Sequence, residues 1–195
     1  MVSILPTAFI FIASALILGF LPRGHIRSTI LLATPVLAAW HIWNLPVGIF
    51  SQVEFVGQTL DMMRVDKLSR IFGLIFCLAA FLGNLYAWHV RDLIQQLAAL
   101  LYAGAAIGAV FAGDLITLFF YWEGTALASV FLIWARKTEG SYHTGMRYLI
   151  IQITSGVILL AGTALLYRDT GSITFERMTL GSIGTWLIFL SFGIK

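Results

Sequence analysis

Two ionisable side chains stand where an apolar helix should have none. Glu123 lies inside the run Leu115 to Trp134, in Phe119-Phe120-Tyr121-Trp122-Glu123-Gly124-Thr125. A carboxylate at that depth is costly unless it has a partner, water or a proton, and an intramembrane acid is a functional-site candidate by default. Lys195 ends a second such run, Leu187-Ile188-Phe189-Leu190-Ser191-Phe192-Gly193-Ile194-Lys195. An acid and a base, each in its own apolar helix, are the two groups a proton path needs. Burial and an opposite charge push in opposing directions on the proton affinity of such groups. Separating the pair, or changing its hydration, would therefore load or release a proton. The structural alternatives are a carboxylate that only pairs with a neighbouring helix and a lysine that snorkels from a helix end.

The residues around this pair set its depth. Asp114 precedes the fifth apolar run and marks its entry; Glu123, nine residues on, lies about 13.5 Å further along the axis, near the midplane. Gly124, Ala126, Ala128 and Ser129 are small and allow close helix approach. Thr117, Tyr121, Thr125 and Ser129 either line a hydrated path or bond to the backbone. Arg147 begins the sixth run, where it reaches interfacial water or an acidic partner, or serves as a positive-inside anchor. Gln95, Gln96 and Asn84 suit a hydrated path less well than the role of polar glue between helices. His25, His89 and His143 lie in or beside connectors and His41 near a helix end. None is at mid-helix depth, and no two share an i, i+4 face, so haem ligation has little support. There is no Gly-rich phosphate loop, nucleophile elbow or zinc motif, and no cofactor or metal is expected.

The elements that carry these residues are membrane helices. The hydrophobic fraction is 59%, the charged fraction 11% and the mean hydropathy +0.93, which leaves too little charge to cover a soluble domain of this length. The apolar runs are continuous rather than alternating, which disfavours a β-barrel. A net charge of +3 without a basic stripe gives no reason to expect nucleic acid as a partner. Cys77 is the only cysteine, so no disulfide framework exists. Seven segments can be drawn: Ile4 to Leu21, Thr29 to Trp43, Leu68 to Trp88, Leu93 to Ala112, Leu115 to Trp134, Tyr148 to Tyr167, and one from Leu180 to the end. The expected class is an all-α polytopic membrane protein with about six full transmembrane helices and the start of a seventh.

The first segment has no basic residues before it and no cleavage site after it, so it reads as a retained helix rather than a signal peptide. An extramembrane hairpin is expected near 51–60, in Ser51-Gln52-Val53-Glu54-Phe55-Val56-Gly57-Gln58-Thr59-Leu60. Basic residues in the odd connectors (Arg23, Arg27, Arg91, Arg136, Lys137, Arg147) barely outnumber those in the others (Arg64, Lys67, Arg70, Arg168, Arg177), a mild bias that places the N-terminus outside. Trp43, Trp88, Trp134 and Tyr167 fall near helix ends, as interfacial anchors do. The last segment has about fifteen residues, roughly 22 Å of helix against a core of ~30 Å. The 195 residues are therefore expected to be part of something larger.

Asp114-Leu115-Ile116-Thr117-Leu118-Phe119-Phe120-Tyr121-Trp122-Glu123, continuing to Ala126-Leu127-Ala128-Ser129, resembles the fifth helix of the proton-conducting antiporter-like subunits of respiratory complex I and Mrp-type cation/proton antiporters. Gly145-Met146-Arg147-Tyr148 with Gln152 and Ser155 resembles that family's sixth helix, and Phe192-Gly193-Ile194-Lys195 its seventh. Asp66 and Leu68 fit more loosely. Gly124 departs from the pattern, which commonly has a larger residue there. The resemblance covers most of 66–195 and is closest to the D subunit of Mrp-type antiporters. It implies the first part of an inverted-repeat fold, with residues 1–92 as N-terminal helices and residues 93–195 as an incomplete proton-channel repeat. Carried over, Glu123 is the modulating acid and Lys195 the relaying base, and redox cofactors belong to other subunits. The implied role is a proton-translocating subunit of a multisubunit Na+/proton antiporter in a bacterial inner membrane. The implied partners are other membrane subunits, lipid, protons and Na+. The alternatives are an antiporter-like subunit of a complex I-like NADH dehydrogenase, hydrogenase or inorganic-carbon uptake complex, and a non-conducting scaffold.

Overall fold

The computed structural model describes residues 4–22, 24–55, 57–175, 177–178 and 180–195. Arg23, which entered the connector charges above, and Val56, inside the expected hairpin, lie outside the described residues, as does Glu176 in the last connector.

The chain runs α1 (Ala8–Phe20), α2 (His25–Asn44), β1 (Gly48–Phe55), β2 (Gln58–Val65), α3 (Lys67–Tyr86), α4 (Leu93–Phe111), α5 (Leu115–Trp134), α6 (Glu139–Thr170) and α7 (Ile183–Ile194). Five of the seven helices begin on a side chain that accepts a backbone N–H in the first turn: Asp66, Asp92, Asp114, Thr138 and Ser182. Such caps satisfy donors that a helix leaves unpaired at its start. Within α3 to α6 each helix is long and apolar enough to cross a membrane. The lipid-facing shell is apolar, with Phe20, Trp40, Leu68, Tyr86, Ile150 and Phe189 exposed.

The structure corrects several boundaries. Residues 4–7 do not join α1, which has 13 residues. Pro6 disfavours helix at Leu5, and the Ile4 carbonyl instead accepts the Ser51 hydroxyl. α2 starts earlier than expected and keeps Pro35 inside it. The hairpin is longer than 51–60 and pairs antiparallel from Gly48↔Val65 to Phe55↔Gln58, with Gly57 at φ 76° in the turn, a region glycine enters freely. α6 has 32 residues and begins nine before Tyr148. Its start is a reciprocal cap between Thr138 and Ser141, and Gly171 ends it in the left-handed conformation.

Alternate connectors gather at opposite ends of the bundle. At one end Arg91 of the α3–α4 connector reaches the carbonyl of Gly24 and the hydroxyl of Ser28, and Lys137 of the α5–α6 connector pairs with Asp92. At the other, the hairpin touches the residues before α1, the α4–α5 junction and, through Gln58 and Tyr167, the end of α6. This is the up-down course of a polytopic bundle. One apolar core joins α1 to α4 and the hairpin through Phe11, Leu18, Ile42, Met63, Leu100 and Ile107. A second joins α5, α6 and α7 through Leu115, Leu159, Leu166 and Ile188.

Candidate functional site

α5 is held at depth by its first residues. Asp114, 1% exposed, accepts the Thr117 N–H at 2.7 Å, the Thr117 hydroxyl at 2.8 Å and the Asp61 N–H of β2 at 2.7 Å. The Leu115 N–H donates to Ile173 and the Gly113 N–H to Asp61. Asp114 and its neighbours therefore lock the start of α5 to the hairpin and to the connector after α6, nine residues before Glu123.

The faces of α5 then separate two environments. Thr117, Tyr121, Gly124 and Ala128 turn towards α4 and, with Phe9 and Phe55, line an apolar groove of about 800 Å³. The Tyr121 ring occupies the space a side chain at Gly108 would need. The sequence leaves Thr117 and Tyr121 between a hydrated path and backbone bonding. The structure places them against this groove instead, and Thr117 is spent on Asp114.

Glu123 faces α6. Its carboxylate fills the place that a Cβ on Gly156 would take, with Phe119 beside it. The side chain is half-buried, yet Oε1 is wholly buried and finds no hydrogen-bond partner among the described residues. Trp122 Nε1, Gln152 Oε1 and Thr185 Oγ1, on α5, α6 and α7, are buried in the same condition. Buried polar groups normally have a partner, in protein or in bound water. Unsatisfied groups on three adjoining helices are therefore places where water can be held.

Lys195 arrives from α7. Its Nζ donates to the Trp122 carbonyl at 2.7 Å and lies 4.5 Å from the centre of the Trp122 ring. The Thr125 hydroxyl donates to the same carbonyl at 2.7 Å. The Trp122 ring meets Phe192 edge-on at 4.8 Å. The acid and the base are thus neighbours, joined through the backbone of Trp122 rather than by an ion pair; the ion pairs among the described residues are Lys137–Asp92 and Arg168–Asp169. An ammonium carries three donors, so this lysine keeps donors for water or for the carboxylate.

The other singled-out residues serve packing or surface. Ser129 bonds to the Ala126 carbonyl and to the Tyr148 hydroxyl at 2.7 Å, pinning α5 to α6. Arg147 is exposed. Asn84 donates to Leu31 across the α2–α3 contact, and Gln95 and Gln96 bond within their own helix start. His41 shares a hydrogen bond with Thr7, while His25, His89 and His143 are exposed. Sequence reasoning missed Gly156 and the Trp122 carbonyl. A glycine in an apolar helix and a backbone oxygen carry no side-chain signal.

Comparison with known proteins converges on one group. Residues 112–195 match the family model described as NADH:quinone oxidoreductase/Mrp antiporter, TM. A protein named antiporter subunit mnhD2 from Staphylococcus saprophyticus is 28% identical over 141 residues, 72% of this chain and 27% of that protein. The chain thus spans about a quarter of the length of this curated relative. The structure of the Mrp complex from Dietzia sp. contains a chain with TM-score 0.80 and 24% identity, matched over 96% of this chain and 22% of that one. Respiratory complex I from Thermus thermophilus contains another, with TM-score 0.78 and 20% identity, matched over 96% and 43%. These likenesses show the fold.

Proposed function

We propose that this chain, whose residues 112–195 match the family model described as NADH:quinone oxidoreductase/Mrp antiporter, TM, serves as a proton-translocating subunit of a multisubunit cation/proton antiporter, with Na+ as the candidate cation. Glu123 and Lys195 are the proton-carrying groups. The observation that carries the reading is Glu123 itself: a mid-helix carboxylate with a buried, unpartnered oxygen, one residue from the carbonyl that holds the Lys195 ammonium. Water held by the polar atoms of Trp122 and Gln152 would join the two groups. Once the lysine has released its own proton onward, a proton taken by the carboxylate is passed through that water to the neutral amine, which restores the ammonium and the carboxylate charge.

Thr125 steadies the Trp122 carbonyl, Ser129 keeps α6 against α5, Asp114 fixes the depth of α5, and Arg147 anchors α6 in the interface. The partners are other membrane subunits and the bilayer; the location is a bacterial inner membrane, as the staphylococcal relative suggests. That relative's name favours an antiporter over a complex I-like setting.

Glu123→Gln in the intact assembly tests this reading. It removes the exchangeable proton with little change of shape, so proton-coupled cation flux should fall on the order of tenfold or more while the complex still assembles. Unchanged flux would remove Glu123 from the path. Loss of assembly with normal flux per assembled complex would assign the residue to a scaffold.

A further inference from the structure

The α6 glycines have different uses. Gly145 leaves room for the Trp134 indole. A Cβ on Gly162 would lie 2.9 Å from the Gly184 carbonyl oxygen, so this glycine lets the α6 and α7 backbones meet. Both serve helix packing. Gly156 differs, because what occupies its missing side chain is the carboxylate of Glu123. Its neighbours fix the spot: the Ser155 hydroxyl, fully buried, donates to the Ser191 carbonyl at 2.9 Å and ties α6 to α7 there. Gln152, one turn back on α6 and 7% exposed, brings one of the unsatisfied polar atoms to that segment.

We infer that Gly156 is a positioning residue for Glu123: its bare Cα forms the socket that draws the carboxylate off the α5 axis into the α5–α6 seam, next to the polar atoms of α6 and α7. This rests on the reading of Glu123 as a proton carrier. Alanine at 156 leaves helix propensity favourable but closes the socket, so the carboxylate must swing out. Misplacing a reacting group by about 1 Å can reduce a rate by as much as 10²-fold.

The test is a double-mutant comparison in the intact antiporter complex. Gly156→Ala should lower proton-coupled flux about tenfold in assembled complex. Glu123→Asp has a shorter arm that fits beside alanine, so Glu123→Asp with Gly156→Ala should transport no worse than Glu123→Asp alone. A glycine needed only for helix packing would give no such rescue. Full flux in Gly156→Ala, or a double variant reduced by the product of the two single losses, overturns the inference. If Gly156→Ala prevents assembly, Glu123→Ala in the same chain should restore it by removing the colliding group; assembly that stays lost also overturns it. Glu123→Gln separates the two ideas. Impaired Glu123→Gln with normal Gly156→Ala discards the socket alone, and normal Glu123→Gln discards the proton-carrier reading.

Discussion

At the scale of residues, the site is a division of labour around one backbone oxygen. The Trp122 carbonyl receives both the Lys195 ammonium and the Thr125 hydroxyl, while Glu123, the next residue, directs its carboxylate to Gly156. The role of Lys195 can be split into charge and proton transfer. Lys195→Arg keeps a cation that can still bond to Trp122, but guanidinium does not give up its proton in proteins. Proton-coupled flux in Lys195→Arg should therefore be as low as in Lys195→Ala, measured in assembled complexes. Flux near the unsubstituted level in the arginine variant would reduce Lys195 to an electrostatic anchor. Both ionisable residues stand out in the sequence as candidates, because a charge inside an apolar run has few uses. Gly156 does not, since its importance is the volume it leaves to another helix. The sequence leaves Thr117 and Tyr121 between a hydrated path and backbone bonding, because it gives a helical face but not which neighbour covers it.

At the scale of elements, caps and clamps decide where each helix stops. Asp114 is the strongest of them, buried and accepting from Thr117 and from the hairpin. Asp114→Ala leaves the Asp61 and Thr117 donors without their acceptor, a loss of about 3 kcal/mol. Faster hydrogen exchange in Gln58–Val65 and in the first turn of α5, with α3 unaffected, is the expected sign. Equal exchange in the variant would show that the backbone bonds of Gly113 and Leu115 suffice. Asp66, outside the membrane span, shows the same principle with a pH dependence. Its carboxyl is held below the ordinary carboxylate range, chiefly by the Ser69 backbone N–H and further by the Ser69 hydroxyl. A depressed carboxyl stabilises the fold above its unfolded value, and that contribution disappears as pH falls through the folded value. Protection at the start of α3, corrected for the intrinsic pH dependence of amide exchange, should therefore fall on acidification in the unsubstituted chain and change little in Asp66→Asn. The start of α5 was marked in the sequence by Asp114 before an apolar run. The early start of α6 was not, because Glu139 to Gly145 is polar and glycine-rich and reads as a connector until Thr138 and Ser141 are seen to cap it.

At the scale of the whole molecule, alternate connectors share an end of the bundle. The Arg91, Asp92 and Lys137 cluster marks one end, and the hairpin closes the other. Cys77 is buried, so single cysteines introduced elsewhere report sidedness cleanly. Cysteine at Lys137 should react with an impermeant reagent only from the cytoplasmic side, and cysteine at Gln58 only from the outside, as the slight excess of basic residues predicts. Labelling of both from one side would break the up-down course. The helical class and the hairpin were visible in the sequence from run lengths and alternation. The seam between α5, α6 and α7 was not, because it depends on which small residues meet across helices.

The proposed function requires above all that Glu123 gain and lose a proton as the complex works. Infrared difference spectroscopy on the assembled antiporter, triggered by addition of the transported cation, observes carboxyl protonation directly. A carboxylic-acid band that changes with the trigger, disappears in Glu123→Gln and shifts in Gly156→Ala is the predicted result. A difference spectrum whose carboxyl region is the same with Glu123→Gln as without it would contradict the account.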